Sequence, residues 1–68
     1  MPERLRNRLK DQRAELGITQ AELAERVGVT RKTVNTVENG VFVPSTILAL
    51  KLAEAVGLTV EQLFWIEE

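Results

Sequence analysis

Apolar positions recur along the chain at helical spacing, and most of the runs are framed by a capping residue and a glycine. Leu5, Leu9, Gln12 and Leu16 mark one side of a first helix that starts at Pro2 and Glu3 and stops near Gly17. A second run, Leu23, Ala24 and Val27, follows Thr19, which with Glu22 has the spacing of a capping box, and Ile18 is placed to staple against Leu23. Gly28 to Thr30 forms a turn, and Thr30 caps a third helix from Arg31 with Val34 and Val37 on its apolar side and Asn39–Gly40 at its end. Pro44 and Ser45 open a fourth helix. Ile47, Leu48, Leu50, Leu52, Ala53 and Val56 make it apolar over most of its circumference, the pattern of a central core helix, until Gly57 stops it. Thr59 caps a short fifth helix whose Leu63 returns to the core with Phe64. In the loop before the fourth helix, Phe42 is expected to be core or partly core. The pattern predicts an all-α, five-helix protein.

Residues 19–40 stand out within it. Two short helices across a three-residue turn that holds a glycine make a helix-turn-helix, whose second helix enters the major groove of DNA. Small Ala24 allows the two helices a close approach. A small bundle can contain such a turn without that role, so the faces have to decide. The outward positions of the third helix are Arg31, Lys32, Asn35, Thr36 and Asn39, all donors or dual donor/acceptors with no acid among them. A helix turned only toward water usually mixes its charge signs.

Composition narrows the field further. Sixty-eight residues suit one domain, 1–68, and fall short of an ordinary catalytic domain. Hydrophobic residues are 44% of the chain but aromatics only 4%, so the core must be aliphatic. Cysteine and histidine are both absent, which removes disulfides, zinc-finger sites, thiol nucleophiles and imidazole bases together. No metal, no cofactor and no enzymatic activity are expected. The opening MPERLRNRLK alternates charge with single leucines and has no apolar run of a signal peptide, and no window approaches the roughly 18 apolar residues of a membrane span. A soluble cytoplasmic protein is the expectation. The net charge of -1 hides a polarity: residues 1–40 carry eight Lys/Arg against six acids, while residues 41–68 carry Lys51 against four glutamates. Binding to a polyanion would need the basic part turned toward it.

Gln20, Ala24, Gly28, Val34, Glu38, Gly40 and Pro44, in TQAELAERVGVT and VENG especially, resemble the Cro/C1-type (XRE-like) helix-turn-helix repressors. The resemblance runs from Leu5 to Phe64. It implies a five-helix, lambda-repressor-like domain that binds double-stranded DNA as a homodimer on a two-fold operator, with repression by promoter occlusion as the simplest mechanism. Arg31, Lys32, Asn35 and Thr36 occupy the positions that such proteins use on base edges. The chemistry suits: Arg or Lys bonds guanine O6/N7, Asn suits adenine, and a Thr methyl touches the thymine methyl. Asn35 and Thr36 have an alternative use in bonding the backbone or the helix itself.

Phosphate contacts fall to Gln20, Thr33, Asn39, Arg13 and Ser45. Gln20 and Ser45 sit at helix amino termini, where free N–H groups favour anions, and Asn39 is alternatively a plain helix cap. The resemblance also pairs Arg13 with Glu38, tying the first helix to the third. After Gly40 such proteins often carry a basic or polar residue that grips the backbone, but here Val41, Phe42 and Val43 are apolar, which leaves one phosphate contact unassigned. Segment 64–68 holds the lone Trp65 and Ile66 beyond the last helix, a candidate dimer contact, in extended form in some short relatives, or else a cap on the protomer's own core. The competing class is an antitoxin or adaptor that uses the same fold to bind a protein.

Overall fold

The computed structural model describes residues 3–68. Its elements are strand β1 (Arg4–Asn7), helices α1 (Leu9–Glu15), α2 (Gln20–Val27), α3 (Arg31–Glu38), α4 (Thr46–Ala55) and α5 (Val60–Leu63), and strand β2 (Phe64–Glu67). Four of the five helices, α2 to α5, stand where the capping residues put them. Thr19, Thr30, Ser45 and Thr59 are all extended N-caps whose hydroxyls accept the N–H three residues on. At Thr19 the capping box is complete, since its own N–H donates to Glu22 Oε1 at 2.9 Å. At Gly28 the chain adopts φ +77°, which L side chains rarely tolerate, and this reverses the backbone between α2 and α3.

The first helix is shorter than the sequence pattern predicts, and the reason lies at Asn7. Its Oδ1 accepts the Leu9 N–H at 3.0 Å, an Asx-type turn that competes with helical pairing, while its Nδ2 donates to Val37 O at 2.9 Å. Upstream of Asn7 the chain is therefore free to extend, and β1 pairs antiparallel with β2 in the register Leu5↔Ile66 and Arg6↔Trp65. The expected helix start at Pro2–Glu3 is corrected: Pro2 lies outside the described residues and Glu3 is in no regular element. Arg6 thus sits on a strand. Leu16, expected on the buried side, is the exposed C-cap of α1.

The core is aliphatic. Leu9, Leu23, Val34, Val37, Leu52, Val56 and Leu63 are essentially sealed from water, drawing on all five helices, and each large side chain contributes about 1.5–3 kcal/mol by burial. Two expectations for this region fail. Phe42 is 46% exposed because the loop after α3 rides outside the bundle. On α4, Ile47 and Leu50 are exposed as well, since only the side bearing Leu52, Ala53 and Val56 meets the other helices. Among the described residues no helix is long and apolar enough to cross a membrane.

Candidate nucleic-acid interface

Val34 and Val37 are buried against the bundle, which fixes the rotation of α3 about its axis. That rotation leaves Arg31, Lys32, Asn35 and Asn39 exposed in a row on the opposite side. Thr33 and Thr36 lie at the margins, half-buried. The Thr36 hydroxyl donates to Thr33 O at 2.9 Å, so its hydrogen is committed to the helix, and its methyl and the oxygen's lone pairs are what remain to offer. Asn39 Nδ2 donates to Asn35 Oδ1 at 3.3 Å, aligning two amides along the row. The Thr33 hydroxyl is within 3.0 Å of the Thr30 hydroxyl at the amino end.

α2 meets this row end-on. Gln20, Arg31, Lys32 and Asn35 line one open hollow, and Arg31 also borders a second with Arg13, Thr19 and Gln20. The cationic and amide groups of α3 are therefore gathered beside the amino end of α2, whose unpaired N–H groups and dipole favour negative charge. Ser45 caps α4 through the Leu48 N–H at 3.1 Å and does not enter this hollow.

Behind the row lies a brace. Arg13 Nε donates to Glu38 Oε2 at 2.7 Å and Nη2 to Glu38 Oε1 at 3.3 Å, while Gln20 Nε2 donates to the same Oε1 at 3.0 Å. Arg13 Nη1 also donates to Ile18 O at 2.9 Å. The Glu38 side chain is 2% exposed and that of Arg13 15%, so this is a nearly dry bidentate pair that joins α1, α2 and α3. Hydrogen bonding to Glu38 outweighs desolvation and raises the Arg13 pKa above its ordinary value. Arg13 holds the frame, and little of it faces outward.

Trp65 and Ile66 occupy opposite faces of the ribbon because strand side chains alternate. Trp65 shares the outer face with Arg6 and Glu67, and the Arg8 guanidinium lies 5.3 Å from its ring centroid. Ile66 shares the inner face with Phe64 and, across the pair, Leu5, yet is 60% exposed.

Asn7 was missed by sequence reasoning as the residue that docks β1 on the end of α3. An asparagine two residues before a buried leucine is the signal that could have found it. Gln12 is similar: its Nε2 donates to Val56 O at 3.0 Å and satisfies the end of α4.

Two capped helices across a glycine turn, with an uncovered acid-free row on the second, define a helix-turn-helix protein. The helix-turn-helix family profile matches residues 9–63. An uncharacterised HTH-type transcriptional regulator of Bacillus subtilis, YgzD, is 47% identical over 64 residues, 94% of this chain and 97% of that one. A second, from Methanothermobacter thermautotrophicus, is 48% identical over 65 residues, 94% of each. Among solved structures, the restriction-modification controller protein C.AhdI from Aeromonas hydrophila superposes with TM-score 0.75 at 33% identity, covering 79% of this chain and 82% of that one. The clp gene regulator ClgR from Corynebacterium glutamicum gives 0.73 at 33% identity over 76% of this chain and 55% of that one. The chain belongs to the Cro/C1-type (XRE-like) helix-turn-helix family of DNA-binding transcriptional regulators. Its relatives and structural neighbours are regulators, not enzymes.

Proposed function

We propose that the protein is a homodimeric repressor that places α3 of each protomer in successive major grooves of a two-fold operator and blocks a promoter. The observation that carries this reading is the row Arg31, Lys32, Asn35 and Asn39, exposed and acid-free while Val34 and Val37 on the other side are sealed. Arg31 and Lys32 read guanine edges, Asn35 reads adenine, and the Thr36 methyl packs on thymine. Gln20 and Asn39 hold phosphates at the two ends of the row, with Thr33 beside it. Ser45 offers the capped end of α4 to a further phosphate, and Arg13 acts chiefly through Glu38 and Gln20.

The dimer contact falls to the ribbon, where Ile66 extends the apolar surface of Leu5 and Trp65 lies against the outer rim. In a two-fold dimer the paired recognition helices would stand about 34 Å apart, one turn of DNA. A protein-binding role as antitoxin or adaptor is the second reading, favoured by the exposed Val41, Phe42 and Val43.

The test is selection of duplex fragments from a random pool, followed by titration of Arg31→Ala against the selected site and single-base variants. A sequence-specific regulator prefers its site by about a thousandfold or more. Arg31→Ala should flatten preference at one base pair, worth about 1–3 kcal/mol of discrimination, with folding intact. Unchanged selectivity in that variant would refute the base-reading assignment.

A further inference from the structure

The loop after α3 carries no cation: Val41, Phe42 and Val43 are 78%, 46% and 67% exposed. Beside it the fold opens a polar cleft lined by Arg4, Leu5, Arg6, Asn7, Asn39 and Gly40, with Glu38 at its back. Residues from both faces of β1 line it. The cleft therefore runs along the strand edge that β2 leaves unpaired, beside the basic side chains of Arg4 and Arg6. Asn39 belongs both to the cleft wall and to the outward row of α3, so the two surfaces are continuous. Asn7 anchors the wall through Val37 O and Leu9 N–H.

The charges in the cleft point one way. Glu38 is already neutralised by Arg13 and further hydrogen-bonded by Gln20. Among the described residues Arg4 has no ion-pair partner. Arg6 meets Glu67 at 3.0 Å, but with about half of each side chain in water (47% and 51%) such a pair is weak and readily exchanged.

Resting on the reading of α3 as a recognition helix, we propose that this cleft seats a backbone phosphate of duplex DNA, held by Arg4 and Arg6. It supplies, from strand β1, the contact that the apolar loop Val41–Val43 lacks. The contact carries no sequence information and adds one unit of counterion release.

The experiment titrates the whole chain, unaltered and as R4Q/R6Q, against a duplex selected by the unaltered chain and a scrambled duplex, between about 50 and 200 mM salt. We expect the double variant to bind both duplexes roughly five- to tenfold more weakly, to keep the ratio between them, and to lose about one unit of log–log salt slope. Lys51→Gln, which removes one cation outside the cleft, should leave the slope unchanged. Glu67→Gln releases Arg6 and should tighten binding to both duplexes, the opposite sign from a merely structural ion pair. An unaltered slope in R4Q/R6Q, an equal change in Lys51→Gln, or weaker binding by Glu67→Gln would overturn the cleft assignment while leaving the recognition helix in place. Failure of the unaltered chain to bind any duplex would overturn both.

Discussion

Glu38→Gln tests whether the brace behind α3 holds the fold together. The carboxylate accepts three hydrogen bonds, two of them from a guanidinium, in a site where its own side chain is 2% exposed. The amide keeps one acceptor oxygen but turns an N–H₂ toward Arg13 or Gln20, and it leaves the guanidinium, itself 15% exposed, without a counter-charge. Breaking a fully buried pair on one side costs about 3–5 kcal/mol, and Arg13 retains some water, so a loss of about 2–3 kcal/mol is expected. At roughly 0.05–0.15 kcal/mol per residue the whole protein holds only about 3–10 kcal/mol. The loss should lower the thermal midpoint by about 8–24 °C, followed by far-UV circular dichroism. Arg13→Met with Glu38→Leu removes both charges and should recover more than half of it, because a matched apolar pair carries no desolvation penalty. A Glu38→Gln midpoint within about 2 °C of the parent would refute the reasoning.

Other outcomes follow from single features. Gly28→Ala meets no atom within 4 Å, so its effect is backbone strain at φ +77° alone, and urea unfolding should show a loss of about 1–2 kcal/mol. Glu22 has its pKa lowered by the hydrogen bonds it shares with Thr19. A carboxylate depressed on folding stabilises above its unfolded pKa and ceases to as pH falls through the folded value. The protection of the Thr19 amide, its exchange rate relative to an unstructured amide at the same pH, should accordingly fall in acid below the ordinary glutamate range, and Glu22→Gln should remove that pH dependence of the protection. In the dimer reading, Ile66→Asp should shift sedimentation to monomer more completely than Trp65→Ala, since Ile66 extends the apolar face while Trp65 is partly satisfied by Arg8; unchanged sedimentation in both would remove the ribbon from the interface.

The caps explain why so much of the fold was legible. Thr19, Thr30, Ser45 and Thr59 each announce a helix start, and the burial of Val34 and Val37 follows from their three-residue spacing. The pairing of Arg13 with Glu38 came through family resemblance, since nothing local ties residues 25 positions apart. The ribbon was hidden for a similar reason. Leu5 fits a helical series with Leu9 as well as it fits a strand, and the choice is made by a partner segment at the far end of the chain. Ile47 and Leu50 were misread because apolar character shows what can be buried, whereas the neighbours decide what is. Their exposure, like that of Phe42, is a tertiary outcome.

The pairing of β1 with β2 also sets a timetable. Arg6 and Glu67 are 61 positions apart, so a ribosome delivers the first strand long before its mate exists. The capped helices between them are local and can assemble as they emerge, but the clasp that pairs Leu5 with Ile66 must await the emergence of β2. Until then the nascent chain carries a raw strand edge beside a half-finished nucleus, and it is in that interval that this protein is most exposed to pairing with the wrong neighbour.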